Sequence, residues 1–317
     1  MKILPYINLI IIFTISILGP YHAFINFEPA KDEYIVVKQG ESMTRTLDNL
    51  VKSNILDTIF FKVFLAIENI DSFQAGKYKV EEKNLKEIFL DLSQGHTSTH
   101  KLVIKDGANI YDVQKELENS FLDIDCFNLN CIKRQTPFKE GILYPDTYFY
   151  KDSMKASSLL QASHERLFNT VSKLWLNKPP NNPLKNINEA IILASIIEKE
   201  AGNNQEKPLI AGVFLKRLTL GMRLQADPTI IYGLLPNFDG DIKKSDILNK
   251  NNLHNTYMIK GLPPTPISMA SLSSIEAAIN SVPGNYLYFV ANSKTSHYFS
   301  KTYEEHLEMI NILGLNK

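Results

Sequence analysis

The chain has 317 residues, 44% of them hydrophobic, and 34 basic residues balance 34 acidic ones, so its formal net charge is zero. That length and apolar content support a sizeable core and leave room for two domains. Balanced charge excludes the global basic field of a nucleic-acid binder, and no long like-charge run marks a disordered arm.

From Ile3 to Phe27 there is no Asp, Glu, Lys or Arg. With its flanks, the run INLIIIFTISILG is long enough to cross a bilayer as one helix, and Lys2 ahead of it favours an N-in, C-out anchor. A cleaved signal peptide competes with this, but Pro20, Tyr21 and His22 stand where a small-residue cleavage site belongs. EYIVVKQGES then reads as a strand and a turn, with a helix opening near Ser42 and a second helix over Asp57 to Glu68. AGKYKV is a further short strand, and Asn84 caps a helical run closed by Gly95. The polar stretch Thr97 to His100 marks a domain boundary. KLVIKDGANIYDVQKELE echoes the earlier strand, glycine turn and helix, with Gly107 matching Gly40; duplication and coincidence both account for it.

Cys126 and Cys131 are close enough for a small disulfide loop in an oxidising compartment, though two free thiols fit equally well. KEGILYPDTYFYK is a turn-rich aromatic loop, a helix spans about Lys155 to Leu176, and NKPPNNP reads as a linker. Asn186 with Glu189 looks like an N-cap and its capping-box partner. The helix they open runs through apolar residues into LASIIEKEAG, with Gly202 as its stop. PLIAGVFLKRLTLG is again helical, ending at Gly221; beyond it come proline-rich loops, the strand YLYFVAN, HYFS and a last helix from Tyr303 to Leu313. The class is α+β.

Glu198 and Glu200 fall in the last turn of the apolar helix, where the negative end of the helix dipole disfavours carboxylates. A carboxyl beside apolar side chains has its neutral form favoured, as a general acid requires. Glu200 stacks over Leu193, Ile196 and Ile197, a more apolar face than the Ile191, Ala194 and Ser195 beneath Glu198. Solvated charges at a frayed end, paired with Lys199, Lys207 or Arg217, are the plainer explanation of the motif taken alone. The seven histidines show no paired helical spacing, and neither HExxH nor a phosphate-binding glycine loop occurs, so no metal or cofactor is expected. RLQADPTIIYG and LHNTYMIKGLPPTPI supply Gln225, Asp227, Thr229, Tyr232, Asn255, Thr256 and Tyr257, which combine hydrogen-bonding groups and aromatic faces as carbohydrate subsites need.

LASIIEKEAG, VFLKRL, GMRLQADPTIIYG, HNTYMIKGLPPTPI and YLYFVAN followed by HYFS resemble the YceG-like endolytic murein transglycosylases, over nearly the whole chain. The resemblance implies a transmembrane anchor over 1–27, a small LysM-like α/β subdomain over 28–97, and a mixed α+β catalytic domain over 98–317. It implies endolytic cleavage of the MurNAc–GlcNAc β-1,4 bond in nascent peptidoglycan glycan strands, leaving 1,6-anhydroMurNAc ends. The protein would then be held in the bacterial inner membrane with its catalytic domain outside, near peptidoglycan synthases. The family's catalytic glutamate aligns with Glu200, Glu198 being the alternative. That one carboxyl protonates the leaving oxygen and then accepts the proton of the attacking C6 hydroxyl. By the same resemblance Gln225, Asp227, Thr229 and Tyr232 line or brace the cleft, Asn255, Thr256 and Tyr257 lie opposite, and Glu206 braces the region. Lys216, Thr265 and Met269 to Ser271 depart from the family pattern and bear on loop geometry. Two alternatives remain at this point: a non-catalytic peptidoglycan-binding scaffold of the synthesis machinery, and a hydrolase using water activated by Glu198 or Asp227.

Overall fold

The computed structural model describes residues 16–29, 33–97, 99–151, 154–293 and 295–315, and the chain divides into two compact units. Most of the apolar N-terminal run lies outside the described residues. Among those described, no helix is long and apolar enough to cross a membrane.

Unit 1 comprises the chain up to His100 with Phe121–Asp123 and Phe149–Met154. Its elements are a helix α1, described over 16–25, then β1 (Tyr34–Val37), α2 (Met43–Val51), α3 (Ile55–Ile67), β2 (Gly76–Lys79) and α4 (Leu85–Gln94). β1 pairs antiparallel with β2, from Tyr34 opposite Lys79 to Val37 opposite Gly76. Local signals determine the helix starts: Ser42 caps α2, and Asn54 with Asp57 and Asn84 with Glu87 form reciprocal capping boxes on α3 and α4. Gly95 closes α4 at φ 68°, where a Cβ would be strained. Phe89 is the centre of the core, its ring 4.8 Å from Phe61, 5.6 Å from Phe64 and 6.4 Å from Phe24 of α1. The opposite face of α3 leaves Ile55, Ile59, Val63 and Ile67 exposed at four-residue intervals.

Unit 2 holds α5 (Ile110–Glu118), α6 (Ala156–Trp175), α7 (Ile187–Glu200), α8 (Lys207–Thr219), α9 (Asp227–Leu234), α10 (Lys244–Ile247), α11 (Leu272–Asn280), β5 (Tyr288–Ala291), β6 (His297–Ser300) and α12 (Tyr303–Ile312). The strands β3 (Thr99–Ile104) and β4 (Asp146–Lys151) pair with each other and carry residues of both units. α7 is the central helix, buried without interruption from Ala190 to Ile197, and it packs against α6, α8, α9 and α11. A helix apolar on every side has to be enclosed in this way. β5 and β6 form an antiparallel hairpin, from Tyr288 opposite Ser300 to Ala291 opposite His297. Cys126 and Cys131 are joined in a disulfide.

Three local expectations are modified. Glu189 does not complete a capping box, because its carboxylate accepts from Lys185 N while Asn186 accepts from Glu189 N. Gly202 is no left-handed stop: α7 ends with Ala201 in extended conformation, and a Cβ on Gly202 would lie 2.6 Å from the Thr295 backbone. Glycine is needed there for close approach. The proline and asparagine stretch is more than a linker, since buried Asn182 donates to the carbonyls of Ala278, Ile279 and Ser281 and so closes the C-terminus of α11.

Candidate active site

The last turn of α7 separates two glutamates by environment. The Glu198 side chain is 9% exposed and pairs at 3.1 Å with Lys207, itself 5% exposed. The same carboxylate accepts from Ser271 N at 2.9 Å, from the Ser271 hydroxyl and from Ser274 Oγ at 2.6 Å, at the N-terminus of α11. Desolvation pushes its pKa up, but these hydrogen bonds and the Lys207 charge outweigh burial and hold it below the ordinary range. Glu198 is thereby an ionised structural tie between α7, α8 and α11.

Glu200 is half-buried and lines a cavity of about 400 Å³. Enough protein surrounds it that desolvation dominates, and the nearby Asp227 charge adds to the effect. The Arg217 guanidinium opposes both, and the carboxyl is pushed up to about 8. Among the described residues no hydrogen bond commits this carboxyl to another role. It is therefore protonated at neutral pH and able to give its proton to a bound group.

Of the other residues singled out from sequence, Gln225, Asp227 and Tyr257 line the same cavity. Pro228 in the first turn of α9 places Asp227 at the helix start, where Tyr257 Oη donates to Asp227 Oδ1 at 2.7 Å. Burial, then this bond, raises the Tyr257 pKa and keeps it a phenol. Gln225 sits at φ 51°, a left-handed conformation uncommon for a residue with a side chain. Its backbone N donates to Thr256 O at 3.3 Å.

Thr229, Asn255 and Thr256 do not reach the cavity; all three are fully buried. The Thr229 hydroxyl donates to Ala226 O at 2.6 Å and lies 2.9 Å from the Thr256 hydroxyl, which accepts from Ala226 N at 2.9 Å. This interlock holds the Gln225–Asp227 segment against the Tyr257 segment. Asn255 donates to the carbonyls of Asp246, Ile247 and Asn249 at the end of α10. Such hydrogen-bonding residue types meet internal needs of loops as readily as those of a ligand, and here the loops consume them. Tyr232 also lies apart, its ring 4.8 Å from His254 and its hydroxyl shared with the buried Glu140 and with Thr265. Desolvation pushes the Glu140 carboxyl up to about 7, against hydrogen bonds from Ile110 N, Gly141 N and Tyr232.

The rest of the cavity wall escaped the residue-level reading. Arg217 of α8 enters it with Nε donating to Leu287 O at 2.8 Å and Nη1 to Leu224 O at 2.7 Å, its guanidinium 5.3 Å from the Tyr288 ring centre. Tyr288, Tyr303 and His306 form an aromatic side, with Tyr288 stacked on His306 at 5.2 Å and tilted against Tyr303 at 5.7 Å. His297 heads β6 and also lines the cavity. Glu206 accepts from its backbone N at 2.7 Å and from Nδ1 at 2.8 Å. The density of aromatic and histidine residues from Tyr286 to His306 was the available signal.

The arrangement is a single protonated carboxyl in a cleft with aromatic faces, an adjoining carboxylate and a buried guanidinium. Polar and aromatic walls of this kind fit a carbohydrate. In comparisons with known proteins, the YceG-like family model matches residues 35–312. The chain is 27% identical over 299 residues to the endolytic murein transglycosylase of Bacillus subtilis, covering 86% of this chain and 82% of that one. It is 32% identical over 171 residues to that of Streptococcus pneumoniae strain D39, covering 53% of this chain and 31% of the relative. A crystal structure of a yceG-like protein from Listeria monocytogenes superposes with a TM-score of 0.54 at 27% identity, over 88% of this chain and 99% of that one. The match spans both units and every element that lines the cavity, and the chain belongs to the YceG-like family.

Proposed function

We propose that this chain is an endolytic lytic transglycosylase of peptidoglycan, cutting the β-1,4 bond between MurNAc and GlcNAc within glycan strands and leaving 1,6-anhydroMurNAc ends. The observation that carries the reading is the contrast within EKE: Glu198 is ionised and fully bonded, while Glu200 is held at about 8 in the cavity with no competing hydrogen bond among the described residues. Glu200 donates its proton to the glycosidic oxygen as the C1–O bond breaks, and the MurNAc C6 oxygen closes on C1. The proton lost by that hydroxyl restores the Glu200 acid, so water is not consumed. Gln225, Asp227 and Tyr257 contact the sugar, and Thr229, Tyr232, Asn255 and Thr256 support the segments that carry them.

The uncharged N-terminal run anchors the chain in the inner membrane as a single helix, with the catalytic domain outside and peptidoglycan synthases as neighbours. The exposed apolar stripe of α3 supports a location beside lipid. Residues 28–97 act as a LysM-like module.

The test is product mass. The full-length protein on purified uncrosslinked glycan strands is expected to yield anhydroMurNAc ends, and Glu200→Gln to yield none while keeping its melting temperature. Reducing ends would reassign the protein as a hydrolase, and glycan binding without cleavage would make it a scaffold. Loss in Glu198→Gln alone, with Glu200→Gln active, would move the acid to Glu198.

A further inference from the structure

His297 and Glu206 form a closely bonded pair, each with its side chain 12% exposed. Both carboxylate oxygens of Glu206 are turned to one residue, Oε1 to the backbone N of His297 and Oε2 to Nδ1. A carboxylate only accepts, so Nδ1 carries the hydrogen, and in the neutral form of such a ring Nε2 is the lone-pair acceptor. Nε2 has no hydrogen-bond partner among the described residues, and its ring lines the cavity that contains Glu200. Phe289 and Phe299 pack against the imidazole in edge arrangements, at ring-centre distances of 5.4 and 6.5 Å. Glu206 itself is placed by Asn203, whose side chain accepts from Glu206 N at 3.1 Å and donates to Thr295 O at 2.7 Å. Glu206 and Asn203 together fix the orientation of the ring. It is the carboxylate–imidazole arrangement that makes a histidine a competent base.

We infer that His297, oriented by Glu206, is the base that takes the proton from the attacking sugar hydroxyl. The inference rests on the transglycosylase reading and divides its two proton transfers between two groups. Glu200 gives its proton to the glycosidic oxygen, and the C1–O electron pair leaves with that oxygen. The C6 oxygen bonds to C1, and its hydrogen passes to Nε2 of His297, giving an imidazolium opposite the Glu206 carboxylate. After the product leaves, the imidazolium returns the proton to the Glu200 carboxylate, directly or through water, and both groups regain their starting states. In this scheme Glu200 need not reposition from the leaving oxygen to the C6 hydroxyl within one turnover. Glu206 is a positioning residue that acts through His297.

The experiment measures anhydroMurNAc ends made by the full-length protein on uncrosslinked glycan strands. His297→Gln is expected to lower kcat by about a hundredfold or more with KM within about threefold of wild type. In His297→Gly, added imidazole is expected to restore part of kcat, an effect that a merely structural histidine would not give. Glu206→Gln leaves the imidazole in place and is expected to lower kcat about tenfold at unchanged KM, which keeps the test decisive should His297→Gln fold poorly. Wild-type kcat in His297→Gln, or loss in Glu206→Gln expressed only in KM or melting temperature, overturns the inference while the transglycosylase reading stands. A wild-type protein that makes no anhydro ends overturns both.

Discussion

Glu198 and Glu200 lie two residues apart on one helix and are put to opposite uses by what surrounds them. Glu198 is nearly inaccessible yet ionised, because Lys207, Ser271 and Ser274 supply what water would have supplied. Glu198→Ala would leave the Lys207 ammonium buried without its anion, and a loss of about 3–5 kcal/mol in urea unfolding is expected. Glu200 has no hydrogen bond of that kind among the described residues and only the Arg217 charge in opposition, so its pKa is raised, which bears on stability and, under the proposed mechanism, on activity. The proposed mechanism needs the acid form, so the rate is expected to fall as pH rises through about 8. Glu140, pushed up to about 7, works on stability in the same direction. The folded state keeps both protons to higher pH than an unfolded chain with carboxyls near 4.5, so stability falls as pH rises from about 4.5 to about 8 and then levels off. Melting temperatures across that window should show the decline, and Glu200→Gln should make it shallower.

At the scale of elements, the site depends on how α7 ends. The helix stops at Glu200 because Ala201 turns extended and the backbone of Gly202 passes against Thr295 in the turn between β5 and β6. That hairpin carries Tyr288 and His297, so the contact sets the distance between the acid and the aromatic side of the cavity. Gly202→Ala would place a Cβ 2.6 Å from the Thr295 backbone, which cannot yield as a side-chain tip can. Catalytic rate is expected to fall at least tenfold, by the sensitivity of such sites to displacements of about 1 Å, with a smaller change in melting temperature; unchanged kinetics would show that the hairpin position is immaterial. The sequence made α7 legible through its apolar run and Asn186 cap, and the hairpin through its aromatic strands. α9 and α11 were not legible: both are short, one reads as a polar loop and the other follows a proline-rich stretch. α11 is stabilised by packing on α7 and by distant Asn182.

At the scale of the molecule, the two units have separate means of support. Unit 1 is built round an aromatic cluster centred on Phe89, and unit 2 round the buried α7. Phe89→Ala is expected to cost unit 1 about 3–5 kcal/mol and to lower its calorimetric transition, while the transition of unit 2 keeps its midpoint. Movement of both by the same amount would show that they unfold together.

Sequence by itself determined the α+β class, the caps of the long helices and a buried helix ending in two acids, because each rests on local periodicity and on residue types with strong positional preferences. It also brought Glu200, Gln225, Asp227 and Tyr257 into one list. Only the tertiary structure decided that these four share a cavity, that Thr229, Asn255 and Thr256 are spent inside the protein, and that Arg217, Tyr288 and His297 complete the wall. It also supplied a different reason for preferring Glu200. The apolar face beneath it counts for less than the ion pair and serines that claim Glu198, which come from α8 and α11. Whether a buried carboxyl is an acid in waiting or a structural anion depends on partners many residues away, and no helical period records them.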